Sequence, residues 1–394
     1  MTRHALLGSI AGILAMASPA QSADLPIAPE PVDYVRVCDA YGSRFYYIPG
    51  TETCLRVGGR VRVDTRFRNF GEKENAWSTR SADGLQLRTR GYLYLDARTA
   101  TEFGTLRSYI SYYGQVQNGT ESFSVDNVYI QWGGLTAGFT SSYFDFFTGY
   151  SFGAQIESYS DQDTNLIGYT YALGNGFNAS VAVEDGANRQ AGVGFNNGVQ
   201  GYGGTRMPDF TGALALKQGW GEVQIMGALH QIYANALVNS TGGGSEDELG
   251  WALGAAGEVK FGGIGQGGRA ALQVVYTDGA SAYGSTGWNS RITDAVVVGN
   301  GIDTTKTINV FGGVSLGLTN TIEVNLQGGY HNVDGGTNAY DFTQWDATVN
   351  AVWEPVSGFI MGPELQYRDL DFNTASGLDD TYELYGTFRV QRTF

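Results

Sequence analysis

No stretch of this chain beyond its N-terminus approaches the ~20 continuous apolar residues that a membrane-spanning helix needs. Mean hydropathy is only -0.18, which likewise excludes a helical membrane protein. Charge is scarce too, with Asp, Glu, Lys and Arg supplying 16% of 394 residues. The formal net charge of -15 leaves no basic face for nucleic acid. Acidity of this kind belongs to solvated loops. Proline numbers 8 and cysteine 2. Beyond the N-terminal segment the histidines are His230 and His331. Cys38 and Cys54 have no neighbouring histidine and fall short of a zinc ligand set. Neither a cofactor nor a metal is expected, and an enzyme would have little to work with.

What is present is glycine, at 58 residues, and aromatic side chains, at 13%. That composition suits many strands and turns. The first 22 residues read as a secretory leader. Arg3 and His4 precede an apolar run over Ala5–Ala17, and Ala20-Gln21-Ser22 fits a small-x-small cleavage pattern. Cleavage after Ser22 is expected, with Ala23 as the alternative. Exported Cys38 and Cys54 meet an oxidising compartment and are expected to pair. A lead-in over 23–53 then precedes a single domain over 54–394.

Strict alternation starts at Leu55. Leu55, Val57, Gly59, Val61, Val63, Thr65 and Phe67 share one face; Arg56, Gly58, Arg60, Arg62, Asp64, Arg66 and Arg68 share the other. A period of two with one apolar and one charged face is a strand between two different solvents. The run over 85–98 repeats it. Further strands are read near 104–116, 122–133, 135–141, 164–173, 176–185, 209–218, 221–231, 249–261, 269–278, 306–318, 321–332, 341–354, 358–370 and 380–394. About 16 strands of this length are what a single-chain outer-membrane barrel requires.

The connections alternate. Long segments at 70–83, 142–163, 186–208, 232–248, 279–305 and 371–379 are separated by short turns such as Gly133-Gly134 and Gly219-Trp220. Short turns at the periplasmic end and long loops outside give this pattern. In hydrocarbon, backbone groups must be bonded internally, so the sheet must close. An antiparallel all-β transmembrane barrel of about 16 strands encloses an aqueous lumen. Function follows from that geometry: a passive, water-filled pore for small hydrophilic solutes and ions, surrounded by outer-membrane lipid and lipopolysaccharide.

Two regions within that pore carry candidate site residues. The segment over 141–163 is dense in aromatics and holds Asp145, Glu157, Asp161 and Asp163. Rings so dense want burial. A loop folded into the lumen provides it; an aromatic patch at the membrane interface or at a subunit contact is the alternative. Arg56, Arg60, Arg62, Arg66, Arg88, Arg90 and Arg107 fall on the polar faces of the first three strands. A basic wall opposite acidic loop residues would set a transverse field at the narrowest point. The plainer alternative pairs these arginines with Asp64 and Asp96.

Other spellings are weak. Gly263, Gly265 and Gly268 lie between two strands with no following helix, so they read as a turn. Asp161, Asp163 and Asn165 begin like a calcium loop, but Leu166 stands where the sharp-turn glycine belongs. His230 and His331 are expected to line the lumen. A substrate-selective channel is the first alternative to a general pore, and a barrel hydrolase built across strands is a remoter one.

The stretch Val37–Gly59, VCDAYGSRFYYIPGTETCLRVGG, resembles the N-terminal signature of alphaproteobacterial porins of the Rhizobiales type. The final strand, Tyr382–Phe394, resembles the last strand of outer-membrane barrels generally. The resemblance implies a homotrimeric, 16-stranded general porin with a constriction loop in each pore. It also implies that the C-terminal pattern ending in Phe394 is read by the barrel-assembly machinery.

Overall fold

Sixteen strands, each formed where the period of two holds, make the wall. They are β1 (Cys54–Phe67), β2 (Leu85–Thr101), β3 (Gly104–Gln117), β4 (Thr120–Trp132), β5 (Leu135–Ser141), β6 (Asp163–Gly174), β7 (Phe177–Glu184) and β8 (Asp209–Gln218). The second half comprises β9 (Gly221–Tyr233), β10 (Asp247–Phe261), β11 (Gly268–Asp278), β12 (Lys306–Gly317), β13 (Ile322–Asp334), β14 (Phe342–Val356), β15 (Phe359–Phe372) and β16 (Thr381–Thr393). Each pairs antiparallel with the next. The sheet closes where β1 meets β16, from Arg60↔Thr393 to Phe67↔Gly386. This computed structural model describes residues 36–72, 75–196, 198–235, 247–263, 265–289, 291–299 and 301–394. The leader over 1–22 and the first part of the lead-in, 23–35, lie outside the described residues.

Side-chain parity is that of a barrel in lipid. Val61 is 47% exposed on the outside, while its neighbour-but-two Asp64 is 0% exposed inside. Leu87, Ile167, Val181 and Ile225 are similarly bare on the outer face. So much exposed apolar surface would be untenable in water. Exposed aromatics cluster at both edges: Phe103, Trp132, Phe177 and Trp220 at the short-turn end, Trp251, Tyr330, Trp345 and Tyr382 at the other. Paired belts of this kind sit at the two membrane interfaces. Among the described residues, no helix is long and apolar enough to cross a membrane.

The alternation of long and short connections has one exception. β3 and β4 join at the long-loop end through Asn118-Gly119 alone, with φ of 50° and 77°. Two consecutive positive φ values make a type I′ turn, the tightest hairpin, for which Asn-Gly is the preferred pair.

β1 extends beyond the end of β16, which would leave backbone groups bare at the short-turn end. Tyr46–Tyr47 fills the gap by pairing with Leu55 and Cys54. The Cys38–Cys54 disulfide, Cα–Cα 6.0 Å, staples this piece in place, as the two thiols led one to expect. An open sheet edge is thereby removed. At the other side of the seam, Phe394 N–H donates to Gly59 O and Gly59 N–H to Phe394 O. The Phe394 ring sits so close to Gly59 that a Cβ there would come within 2.6 Å of it.

Candidate functional site

The 142–162 segment leaves the wall after β5 and crosses the lumen before β6. Backbone N–H groups drawn away from water need acceptors, and inward side chains of distant strands supply them. Phe147 N–H donates to Gln273 on β11 at 3.0 Å, and Tyr150 N–H to Gln327 on β13 at 2.8 Å. The Glu364 carboxylate on β15 accepts from Phe152 and Ala154 N–H, and Gln366 accepts from Gln155 N–H. The Gln155 side chain reaches Gly386 O on β16. Arg66 on β1 donates to Ala154 O at 2.8 Å. The aromatic side chains find their burial here: Phe144 packs with Met226, Val275 and Tyr283, and Tyr159 lies 4.7 Å from Phe311.

Two further loops fill the same side. Val193–Phe195 of the 185–208 loop pairs in parallel with Ala295–Val298 of the 279–305 loop, within a four-stranded sheet. Trp288 packs edge-on against His331 and Phe342. Arg189 joins all three loops. It makes a buried ion pair with Asp145 at 2.9 Å, donates to Ser160 and to Ala282 O, and sits 4.4 Å over the Tyr283 ring. Inward residues of β11–β15 are consequently sealed from water: Thr277, Asn309, Gln344 and Gln366 are all buried.

The wall formed by β16 and β1–β3 keeps most of its arginines half-exposed, although Arg88 and Arg389 are buried. Its arginines fall into three bands. Toward the loop end, Asp64 holds Arg88 at 2.6 Å and Arg389 at 2.7 Å. Toward the turn end, Asp96 holds Arg56, Arg98 and Arg107 at 3.4, 2.8 and 3.0 Å. Between them lie Arg60, Arg62 and Arg90, with Arg66 alongside the inserted loop. None of these four makes a salt bridge among the described residues. They lie against rings and amides instead: Arg60 is 3.9 Å over Tyr92, Arg90 is 4.5 Å over Tyr113, and Arg62 donates to Gln391 at 3.0 Å.

The acidic residues of the inserted segment divide. Asp145 is buried and spent on Arg189, Gln162 N–H and Ser160. Asp163 is the first residue of β6 and accepts from Ser141. Glu157 reaches lumen water, and Asp161 is half-buried. Desolvation by the surrounding protein, then repulsion from Asp145, Glu157 and Asp163, pushes the Asp161 carboxyl up to about 7. Partial desolvation followed by Glu364 raises Glu157 as well, against the pull of Arg88, Arg90 and Arg389.

The two histidines do not line open lumen. They occupy inward faces, but the inserted loops cover them. His230 is bonded to Asp209 and Tyr202, and His331 to Asn309 beside Asp346. Gly263, Gly265 and Gly268 sit at the β10–β11 connection and at the start of β11, with φ of 98° and 54° at the first two. Asp163 and Asn165 lie within β6 rather than in a chelating loop. Arg189 and Arg389, which matter most to the charge balance, were not among the sequence candidates. A single arginine in a glycine-rich loop carries no signal of its pairing, and Arg389 lies on a strand read for its outer face.

A closed 16-stranded barrel with an apolar exterior, aromatic belts and a loop strapped across a polar lumen is an outer-membrane porin. The chain belongs to the family described as Porin subfamily, whose model matches residues 24–387. It is 32% identical to Porin Omp2b of Brucella suis biovar 1 (strain 1330) over 409 residues, covering 99% of this chain and 98% of that one. Porin Omp2b of Brucella melitensis biotype 1 is equally similar, at 32%. Among solved structures, the outer membrane channel DcaP of Acinetobacter baumannii shares the fold with a TM-score of 0.72 at 17% identity, covering 88% of this chain and 99% of that one. An anion-selective porin from Comamonas acidovorans superposes with a TM-score of 0.56 at 13% identity, covering 87% and 100%.

Proposed function

We propose that small hydrophilic solutes and ions pass through the half of the lumen walled by β16 and β1–β3. There Arg60, Arg62 and Arg90 line the wall, and Glu157 on the inserted loop lies within electrostatic reach of Arg88, Arg90 and Arg389. The observation that carries this is the strapping of the 142–162 segment to Gln273, Gln327, Glu364 and Gln366, which removes the opposite half from water. Opposed charges across a gap set a field that orients dipolar solutes and weighs ions by sign. Planar-bilayer recordings should show stable unit steps, and no conductance would refute the reading.

A substrate-selective channel is the second reading. It is favoured by the stacked order Arg60, Tyr92, Tyr113, Arg90, with the two rings 4.9 Å apart. Saturable block by one class of solute would separate it from exclusion by size alone. A hydrolase is disfavoured because His230 and His331 are both committed to buried partners. Activity lost on replacing either would reverse that. Assembly as a homotrimer is supported by the family, and one similar fold, OmpT of Vibrio cholerae, is described in a trimer form. Phe394, clasped to Gly59 at the seam, is the residue that the assembly machinery would read. Its deletion should lower the yield of folded protein in the outer membrane.

A further inference from the structure

We propose that the middle band of the arginine wall is a binding site for small oxyanions, that is, solutes carrying phosphate or carboxylate groups, held between Arg62 and Arg90 with Arg60 beside them. This rests on the reading that the wall lines the permeation path.

The argument begins from cost. Arg62 and Arg90 are direct cross-strand partners on β1 and β2. Like charges directly opposite one another destabilise a sheet. Arg60 and Arg66 share their face on β1. Above and below, the chain offsets the same repulsion with a buried carboxylate: Asp64 for Arg88 and Arg389, Asp96 for Arg56, Arg98 and Arg107. In the middle band no carboxylate is placed on the wall among the described residues.

The contacts made there hold guanidinium groups in position without neutralising them. Arg62 Nε donates to the amide oxygen of Gln391, and Arg90 Nε to that of Gln115 at 2.5 Å. Tyr92 and Tyr113 offer ring faces to Arg60 and Arg90. Arg90 also gives one terminal nitrogen to Tyr92 Oη at 3.3 Å, and Arg66 gives both of its own, to Gln117 and to Ala154 O. The forked ends of Arg60 and Arg62 and the second terminal nitrogen of Arg90 hold no protein partner among the described residues and are available to phosphate or carboxylate. Glu157, on the inserted loop, is the carboxylate that acts on Arg90 from across the gap. One lumen carboxylate does not balance the three guanidinium groups of Arg60, Arg62 and Arg90, so this stretch of the wall is positive although the whole chain carries -15. An oxyanion supplies on the wall what Asp64 and Asp96 supply in the neighbouring bands.

Recordings of the purified full-length protein in a potassium chloride gradient, with inorganic phosphate as probe, test this. The expected results are a reversal potential of anion-preferring sign and a chloride current that phosphate reduces saturably. Arg62→Gln/Arg90→Gln should weaken that block by roughly ten-fold or more, the loss of about 1.4 kcal/mol. Arg62→Lys/Arg90→Lys keeps the charge, loses the fork and should weaken it less. If the glutamine pair does not fold, the lysine pair decides. Lys217→Gln, exposed and paired with Glu222 away from the wall, should behave as the unsubstituted protein. A chloride current insensitive to phosphate, or equal block in the arginine variants, overturns the site and leaves the porin reading intact. Absence of any current overturns both.

Discussion

The two halves of this lumen are built from the same inward strand positions and do opposite things. On β11, β13 and β15 the inward residues are amides and a carboxylate, Gln273, Gln327, Glu364 and Gln366, and they accept hydrogen bonds from a loop. On β1 and β2 they are chiefly arginines, which can only donate, the carboxylates of Asp64 and Asp96 being already held by those arginines, and the loop approaches with a carbonyl, Ala154 O. The loop backbone settles where its N–H groups find acceptors and leaves the donor-rich wall to water. What distinguishes a plugged wall from a conducting one is therefore the hydrogen-bonding sign of its side chains, beyond polarity alone.

Breaking the plugged half at its joint should have the largest effect. Arg189→Ala leaves Asp145 buried without its partner, and losing one member of a buried pair costs about 3–5 kcal/mol. Thermal unfolding should start markedly lower, and single-channel records should flicker as three loops lose their common anchor. Removing the straps is the next step down. Glu364→Ala/Gln366→Ala takes the acceptors from the N–H groups of Phe152, Ala154 and Gln155, but a loop freed into the lumen regains hydrogen bonds to water, so the net cost stays below that of the broken buried pair. Unit conductance should rise as the loop detaches, while the barrel itself stays folded.

The smallest effect sharpens the conducting half. Asp161, raised to about 7, is ionised above neutrality and loses its charge as pH falls to 5, and Glu157, also raised, gives up its charge at a higher pH than an ordinary glutamate. Removing negative charge opposite the arginines leaves the gap more positive. Reversal potentials should thus show a stronger preference for anions at pH 5 than at pH 8. Added salt should shrink the difference, since exposed charges are screened.

The barrel was legible because lipid and water impose opposite demands on alternate residues, as Val61 beside Arg60 and Arg62 shows. The inserted loop was legible too, through the aromatic density of Tyr143, Phe144, Phe146 and Phe147. Asp64 and Asp96 pair with Arg56, Arg88, Arg98, Arg107 and Arg389, while Arg60, Arg62, Arg66 and Arg90 make no salt bridge among the described residues. Which ones depends on cross-strand register, such as Arg62 opposite Arg90, and a one-strand reading does not contain it. The 279–305 loop gave no warning that it also enters the lumen, since Tyr283, Trp288 and Ile292 are spread among glycine and serine. The histidines were placed on the correct face, but their covering came from that same loop.

Thiol modification of single-cysteine substitutions tests the contrast between the halves most directly. The native cysteines are joined to each other and leave no competing thiol. Tyr113→Cys on the half-exposed wall should react with a small charged methanethiosulfonate added to the open channel, and its conductance should step down. Thr277→Cys, at 0% exposure behind the loops, should remain unmodified with its conductance unchanged. Equal reaction at the two positions would contradict a lumen divided into a plugged half and a conducting one.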